Sequence, residues 1–182
     1  MMKPLKTETS RNTTLSSIFN LSGLMKSLLP SVCILGATAT VNALDVKKGE
    51  HIVLLGNTLA ERMQHHGWLE SYAQLAMPEK ALVFRNHGFC GDKVDKRPRN
   101  RGFINPHDYL TISKADVILS FFGANEAWDK NPGNYKGILS KWVDETKGKQ
   151  YNGKSAPRIV LFSPIAHENL ESPNLPDGKE QN

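Results

Sequence analysis

The chain is poor in cysteine, with two in 182 residues. Cys33 lies in the N-terminal extension and Cys90 in the body, so removal of the extension leaves one thiol and no internal disulfide. The core must then hold by packing. No apolar run approaches the roughly 20 residues that cross a bilayer, so a multi-span membrane chain is excluded. With 39% hydrophobic and 23% charged residues, a disordered or collagen-like chain is excluded as well. A concentrated positive field is also missing. Most of the net charge of +5 belongs to residues 1–43, where Lys3, Lys6, Arg11 and Lys26 face only Glu8. The rest of the chain carries 19 basic against 17 acidic side chains, too even a balance for a phosphate-binding surface, and no nucleic-acid partner is expected.

What is present begins with a leader. Residues 1–26 are polar and basic, an apolar run follows from Leu28 to Ala37, and Val41 and Ala43 are small residues at the −3 and −1 positions of a cleavage after Ala43. That order reads as a secretory signal and predicts export to the periplasm or the exterior, with a body over residues 44–182. The competing reading is a disordered or interfacial N-terminal helix. A lipid anchor on Cys33 fits less well, because Pro30-Ser31-Val32 lacks the small residue expected just before it.

The body alternates apolar runs with helical spacing. His51–Gly56, Ala81–Phe84, Val117–Phe122 and Arg158–Ser163 read as buried strands. Leu59 to Met77 carries apolar residues near helical spacing and ends at Pro78, and Tyr135–Thr146 is amphipathic. Residues 93–108 are basic, contain prolines and show no period, so they read as a loop. No internal repeat is present. Strands alternating with helices predict a parallel sheet with right-handed crossovers, in the strand order 2-1-3-4 of a flavodoxin-like three-layer α/β/α sandwich. Runs without alternation fit strands covered on both faces.

In such sheets ligands bind at the carboxyl ends of the strands. Unusual polar residues gather there: Asn57 and Thr58 after the first strand, Asn86 to Asp92 after the second, Asn125 and Glu126 after the third, His167 to Asn169 after the fourth. An ester-cleaving site on that rim needs a hydroxyl at a strand-to-helix turn, donors for the developing oxyanion, and a base. Thr58 fits the hydroxyl, Gly91 a backbone N–H donor, and Asn125 a side-chain amide donor. Each has a plainer reading: Thr58 as a helix cap, Gly91 as a turn glycine, Asn125 as a loop-stabilising residue. His167 is a candidate substitute base or ligand contact, or else a surface or loop-packing histidine. Cys90 reads as a small buried residue rather than a nucleophile. His65 and His66 are adjacent on a helix and diverge, so no metal is expected. The basic stretch Lys93 to Arg101 reads as a solvated loop.

These residues resemble the SGNH (GDSL-type) hydrolase family over about residues 51–170. Leu55-Gly56-Asn57-Thr58-Leu59-Ala60-Glu61 is similar to its first block, Asn86-His87-Gly88-Phe89-Cys90-Gly91-Asp92 to its second, and Phe122-Gly123-Ala124-Asn125-Glu126 to its third, Gly-x-Asn-(Asp/Glu). The wording around them resembles a bacterial subgroup of exported domains, some joined to haem modules. No Cys-x-x-Cys-His occurs here, and no cofactor is expected. The resemblance implies Thr58 in the nucleophile position, with Gly91 and Asn125 as oxyanion donors. It also implies hydrolysis of small acyl esters, such as acetyl groups on carbohydrate. Two departures stand out. Thr58 occupies the position of the family serine, with Asn57 in place of aspartate. The family's final Asp-x-x-His is absent, since no aspartate in the sequence is followed three residues later by histidine. The chain therefore resembles a member lacking its last strand and helix. The alternative is a non-catalytic remnant or binding module that keeps the pocket. A phosphate-binding flavodoxin-like module fits poorly, because Gly56-Asn57-Thr58-Leu59-Ala60 lacks a loop rich in Ser, Thr and Gly.

Overall fold

A computed structural model describes residues 44–97, 102–175 and 178. The expected export signal in residues 1–43 lies outside these, as do residues 98–101 of the basic loop. The elements run β1 (His51–Gly56), α1 (Thr58–Met63), α2 (Trp68–Ala76), a 3₁₀ turn (Pro78–Lys80), β2 (Val83–Asn86), α3 (Pro106–Ile112), β3 (Val117–Phe121), α4 (Ala124–Ala127), α5 (Pro132–Lys147) and β4 (Arg158–Leu161). The four strands form one parallel sheet in the order β2-β1-β3-β4, as the sequence predicts.

Both faces of that sheet are covered, which explains the unbroken apolar runs. Along β1, Ile52 and Leu54 turn to one face with Phe84, Val117, Leu119 and Phe121, under Leu59 and Met63 of α1 and Ala73 of α2. Val53 and Leu55 turn to the other with Ile118, under Leu110 of α3 and Ile138, Leu139 and Trp142 of α5. Fully burying one such side chain contributes roughly 1.5–3 kcal/mol, so these short strands are held by their two covered faces rather than by propensity. β4 differs. It pairs only with β3 among the described residues, and Leu161 and Phe162 at its end are exposed.

Three local expectations change. The helix expected from Leu59 to Met77 is two helices, broken where Gly67 adopts a left-handed φ of 59°. The break rotates the second half, so Trp68 and Tyr72 stack on each other in solvent, ring centroids 6.2 Å apart, instead of entering the core. The loop expected over residues 93–108 ends early, because Pro106 opens α3. The Asn105 side chain caps that helix by accepting from the His107 N–H at 2.8 Å. Strand β2 starts at Val83 and runs to Asn86, while β4 stops at Leu161.

Candidate functional site

The carboxyl edge of the sheet is built from the loops after β1, β2 and β3, and the middle one holds the other two. It is stitched to β1 and α1 first. The His87 N–H donates to the Leu54 carbonyl at 2.8 Å and the Phe89 N–H to the Gly56 carbonyl at 3.0 Å. The Asn86 amide donates to the Ala60 carbonyl at 2.6 Å. Gly88 permits this approach: a Cβ there would lie 2.4 Å from the backbone nitrogen of Glu61.

Held there, the loop meets both flanking candidates. Thr58, the first residue of α1, donates its hydroxyl proton to Cys90 Sγ at 3.3 Å, and Cys90, expected to be buried, is exposed where the loop meets α1. Asn125, in α4, donates through Nδ2 to the Asp92 carbonyl at 3.0 Å. Gly91 lies between these two contact points in chain order, exposed and with φ of 85°, a conformation that favours glycine. A primary amide carries two N–H donors, so Asn125 has one beyond its bond to Asp92. The structure thus brings Thr58, Gly91 and Asn125 to one edge. Thr58 is not the helix cap: it is the first helical residue, and Asn57 holds the cap position without a side-chain cap bond. His167 lies in the coil after β4, partly buried.

Two features of this rim escape the sequence reading. The first is Glu126, whose side chain is buried. Its Oε1 accepts from the Val94 N–H at 2.8 Å and its Oε2 from the Gly123 N–H at 3.0 Å, tying the loop after β2 to the turn that presents Asn125. A glutamate three residues after a helix-opening glycine is a capping signal that could have suggested half of this role. Burial, with Glu126 close by, pushes the Tyr135 hydroxyl above its usual range. The second feature is Asn57. It is 2% exposed, and among the described residues its Nδ2 has no acceptor. Nothing in its sequence position signals that.

Lys93 Nζ lies 2.6 Å from an Asp129 oxygen, and this hydrogen bond holds the Asp129 carboxyl below the usual carboxylate range. The Arg97 guanidinium sits 5.1 Å from the centre of the Phe122 ring. Among the described residues no group of His, Cys, Asp or Glu could hold a metal ion, and no helix is long and apolar enough to cross a membrane.

Cavities flank this edge on both sides. One of about 130 Å³ lies beside Thr58, bounded by Asn57, Phe121, Phe122 and the Ser163–Ile165 segment. A cleft of about 470 Å³ opens between the loop after β2 and α3, lined by His87, Phe89, Phe103 and Tyr109. Within it His87 Nε2 bonds Ser113 Oγ at 2.9 Å. Further along, His107 Nδ1 lies 2.6 Å from the Tyr151 hydroxyl. Burial, with help from Lys149 and Arg97, lowers the His107 pKa below its usual value.

The sequence matches no protein-family model, and no curated protein matches it. Solved structures do. A catalytic mutant of an acetylxylan esterase from Geobacillus stearothermophilus superposes with a TM-score of 0.52 and 17% identity, over 70% of this chain and 65% of the esterase. An alpha/beta hydrolase enzyme from the metagenome of Lake Arreo, Spain, gives a TM-score of 0.51 and 16% identity, over 70% of this chain and 66% of the other. The chain thus spans about two thirds of the length of each. At such identities the likeness shows the fold, and this chain shares the α/β architecture of these esterase and hydrolase structures.

Proposed function

We propose that the chain is an exported SGNH-type ester hydrolase domain acting on small acyl esters, with acetyl groups on carbohydrate as the leading substrate class. One observation supports the reading: the loop after β2 receives the Thr58 hydroxyl at Cys90 and the Asn125 amide at Asp92, which brings a hydroxyl and a side-chain amide to one edge. The fold shared with an acetylxylan esterase supports the same substrate class.

In this reading Thr58 Oγ1 attacks the ester carbonyl carbon and its proton passes to His167. The carbonyl oxygen becomes an oxyanion between the Gly91 N–H and Asn125 Nδ2. Collapse expels the alcohol, which takes that proton, and water then releases the acyl group as a carboxylic acid. Aligned general-base help is typically worth 10²–10⁴-fold, so turnover without an Asp-x-x-His pair should be slow. A second reading, a binding module without catalysis, has its own support: the Thr58 proton points at a sulfur and not at a nitrogen base.

Hydrolysis of p-nitrophenyl acetate separates the two. Slow turnover should vanish in Thr58→Ala and in His167→Ala, and persist or rise in Thr58→Ser. Turnover that survives both Thr58→Ala and Asn125→Ala puts the chemistry elsewhere. No turnover, with acetate still bound, favours the binding module. Export is tested by the mature N-terminus: mass spectrometry should place it near Leu44, and an intact Met1 in cytoplasmic protein refutes it.

A further inference from the structure

The cleft between the loop after β2 and α3 takes no part in the ester chemistry above, since neither Thr58 nor Asn125 lines it. Three aromatic side chains do: Phe89 from the loop, Phe103 from the segment before α3, and Tyr109 from α3. They stand 43%, 68% and 40% exposed, so apolar rings gather around one concavity that is open to water. Apolar surface collected in a hollow marks a ligand groove more often than a bare surface. The volume, about 470 Å³, falls within the roughly 300–1,000 Å³ of small-molecule sites.

Polar groups in the lining decide the class of ligand. Asn86 uses both ends of its amide within the protein, donating from Nδ2 to the Ala60 carbonyl and accepting from the Gly88 N–H. His87 Nε2 is bonded to Ser113 Oγ at 2.9 Å, and its ring sits edge-on to Tyr109 with centroids 5.8 Å apart. A sugar ring, with a hydroxyl on nearly every carbon, finds few partners here, and buried hydroxyls left unmatched are costly. Arg97 is the only Lys, Arg, Asp or Glu among the described lining residues, so a carboxylate on the ligand complements the charge. The Arg97 guanidinium, 5.1 Å from the centre of the Phe122 ring, carries five N–H donors, more than that contact and one further partner occupy.

We propose that this cleft binds a planar aromatic carboxylate, with the ring among Phe89, Phe103 and Tyr109 and the carboxylate on the Arg97 guanidinium. Aromatic side chains pack against a flat ring in offset or edge-on contacts. A guanidinium meets a carboxylate through charge-assisted N–H bonds, often two in parallel. Binding is read here without turnover, so the proposal stands or falls apart from the esterase reading.

The test titrates the full chain calorimetrically with sodium cinnamate, cinnamyl alcohol and sodium glucuronate, and locates bound cinnamate by NMR shifts. Cinnamate should bind about tenfold more tightly than the alcohol, the ratio a charge-assisted hydrogen bond supplies. It should also bind at least about tenfold more tightly than glucuronate, which has the charge without the aromatic ring. Its shifts should fall on Phe89, Phe103 and Tyr109. Arg97→Gln should bring cinnamate down to the level of the alcohol. Phe103→Ser, at an exposed position, should weaken cinnamate and the alcohol alike, by roughly three- to tenfold, and leave the melting temperature unchanged. Should loss of the Phe122 contact unfold Arg97→Gln, Phe103→Ser and the shift map still decide. Absence of cinnamate binding, equal binding of cinnamate and the alcohol, or tighter binding of glucuronate overturns the proposal. So do shifts that fall elsewhere, a cinnamate preference that survives Arg97→Gln, or binding that is indifferent to Phe103→Ser.

Discussion

Replacing Glu126 with glutamine keeps the side chain's shape and removes one acceptor where two are committed. The carboxylate takes the Val94 N–H on one oxygen and the Gly123 N–H on the other, both out of solvent. Glutamine can satisfy one of these and must set its NH₂ against the other, donor facing donor. Hydrogen bonds to a charged acceptor contribute about 1.5–3 kcal/mol, and a stranded buried donor costs about 1–3 kcal/mol. Both change here, but local relaxation shares the strain, so the expected loss is about 2–4 kcal/mol. At roughly 3–4 °C per kcal/mol for a domain of this size, Tm should fall by roughly 6–16 °C. Calorimetry on Glu126→Gln measures it, with Lys141→Ala as a reference. Lys141 pairs with Glu145 on the exposed face of α5, and such pairs are worth about 0–1 kcal/mol. The site should loosen with the fold, because Gly123 precedes Asn125 and Val94 follows the Asp92 carbonyl that Asn125 grips. An unchanged Tm in Glu126→Gln refutes the clamp.

Gly88→Ala forces a Cβ to 2.4 Å from a backbone nitrogen of α1, an atom that cannot swing aside. It should cost about 3 kcal/mol or more, read as a lower denaturant midpoint, and should speed Ellman labelling of Cys90 as the loop lifts from Thr58. The lowered pKa of His107 has a definite sign. The unfolded chain takes up the proton first, so stability should fall as pH drops through about 6.5, and His107→Phe should flatten that slope in urea melts between pH 5 and 8. The outer side of β4, with exposed Leu161 and Phe162, should promote concentration-dependent association that Leu161→Lys reduces. A monomer at every loading in sedimentation velocity speaks against that.

The sheet was legible because each strand is a short apolar run ended by Gly, Asn or Pro, and the crossover rule leaves few orders for four such strands. The rim positions were legible for the same reason: where a strand ends, a site residue in this architecture can begin. Gly67 was not. A single glycine inside a periodic stretch is compatible with a continuous helix, and only its left-handed backbone reveals the break. Asn105-Pro106 did carry a helix-start signal, masked by the basic, proline-containing stretch before it. Contacts among rim residues were beyond sequence reasoning, since the meeting of Thr58 and Cys90 depends on how residues 86–92 fold back over α1. Asn57 looked like a simple exchange for aspartate, and only the structure shows that its amide nitrogen is buried without a partner among the described residues.

The uneven placement of the tryptophans decides what an optical experiment on this protein observes. Of the three in the sequence, Trp68 and Trp128 stand 66% and 59% exposed, while Trp142 is 7% exposed. The first two already emit from water in the native state, so unfolding changes their surroundings little. Trp142, set edge-on to Phe122 with ring centroids 6.0 Å apart, supplies most of the spectral shift. A fluorescence melt therefore follows the separation of α5 from the sheet. It is nearly blind to the α2 face, where a backbone probe such as circular dichroism is needed. If the two probes give different midpoints, the two layers part from the sheet separately.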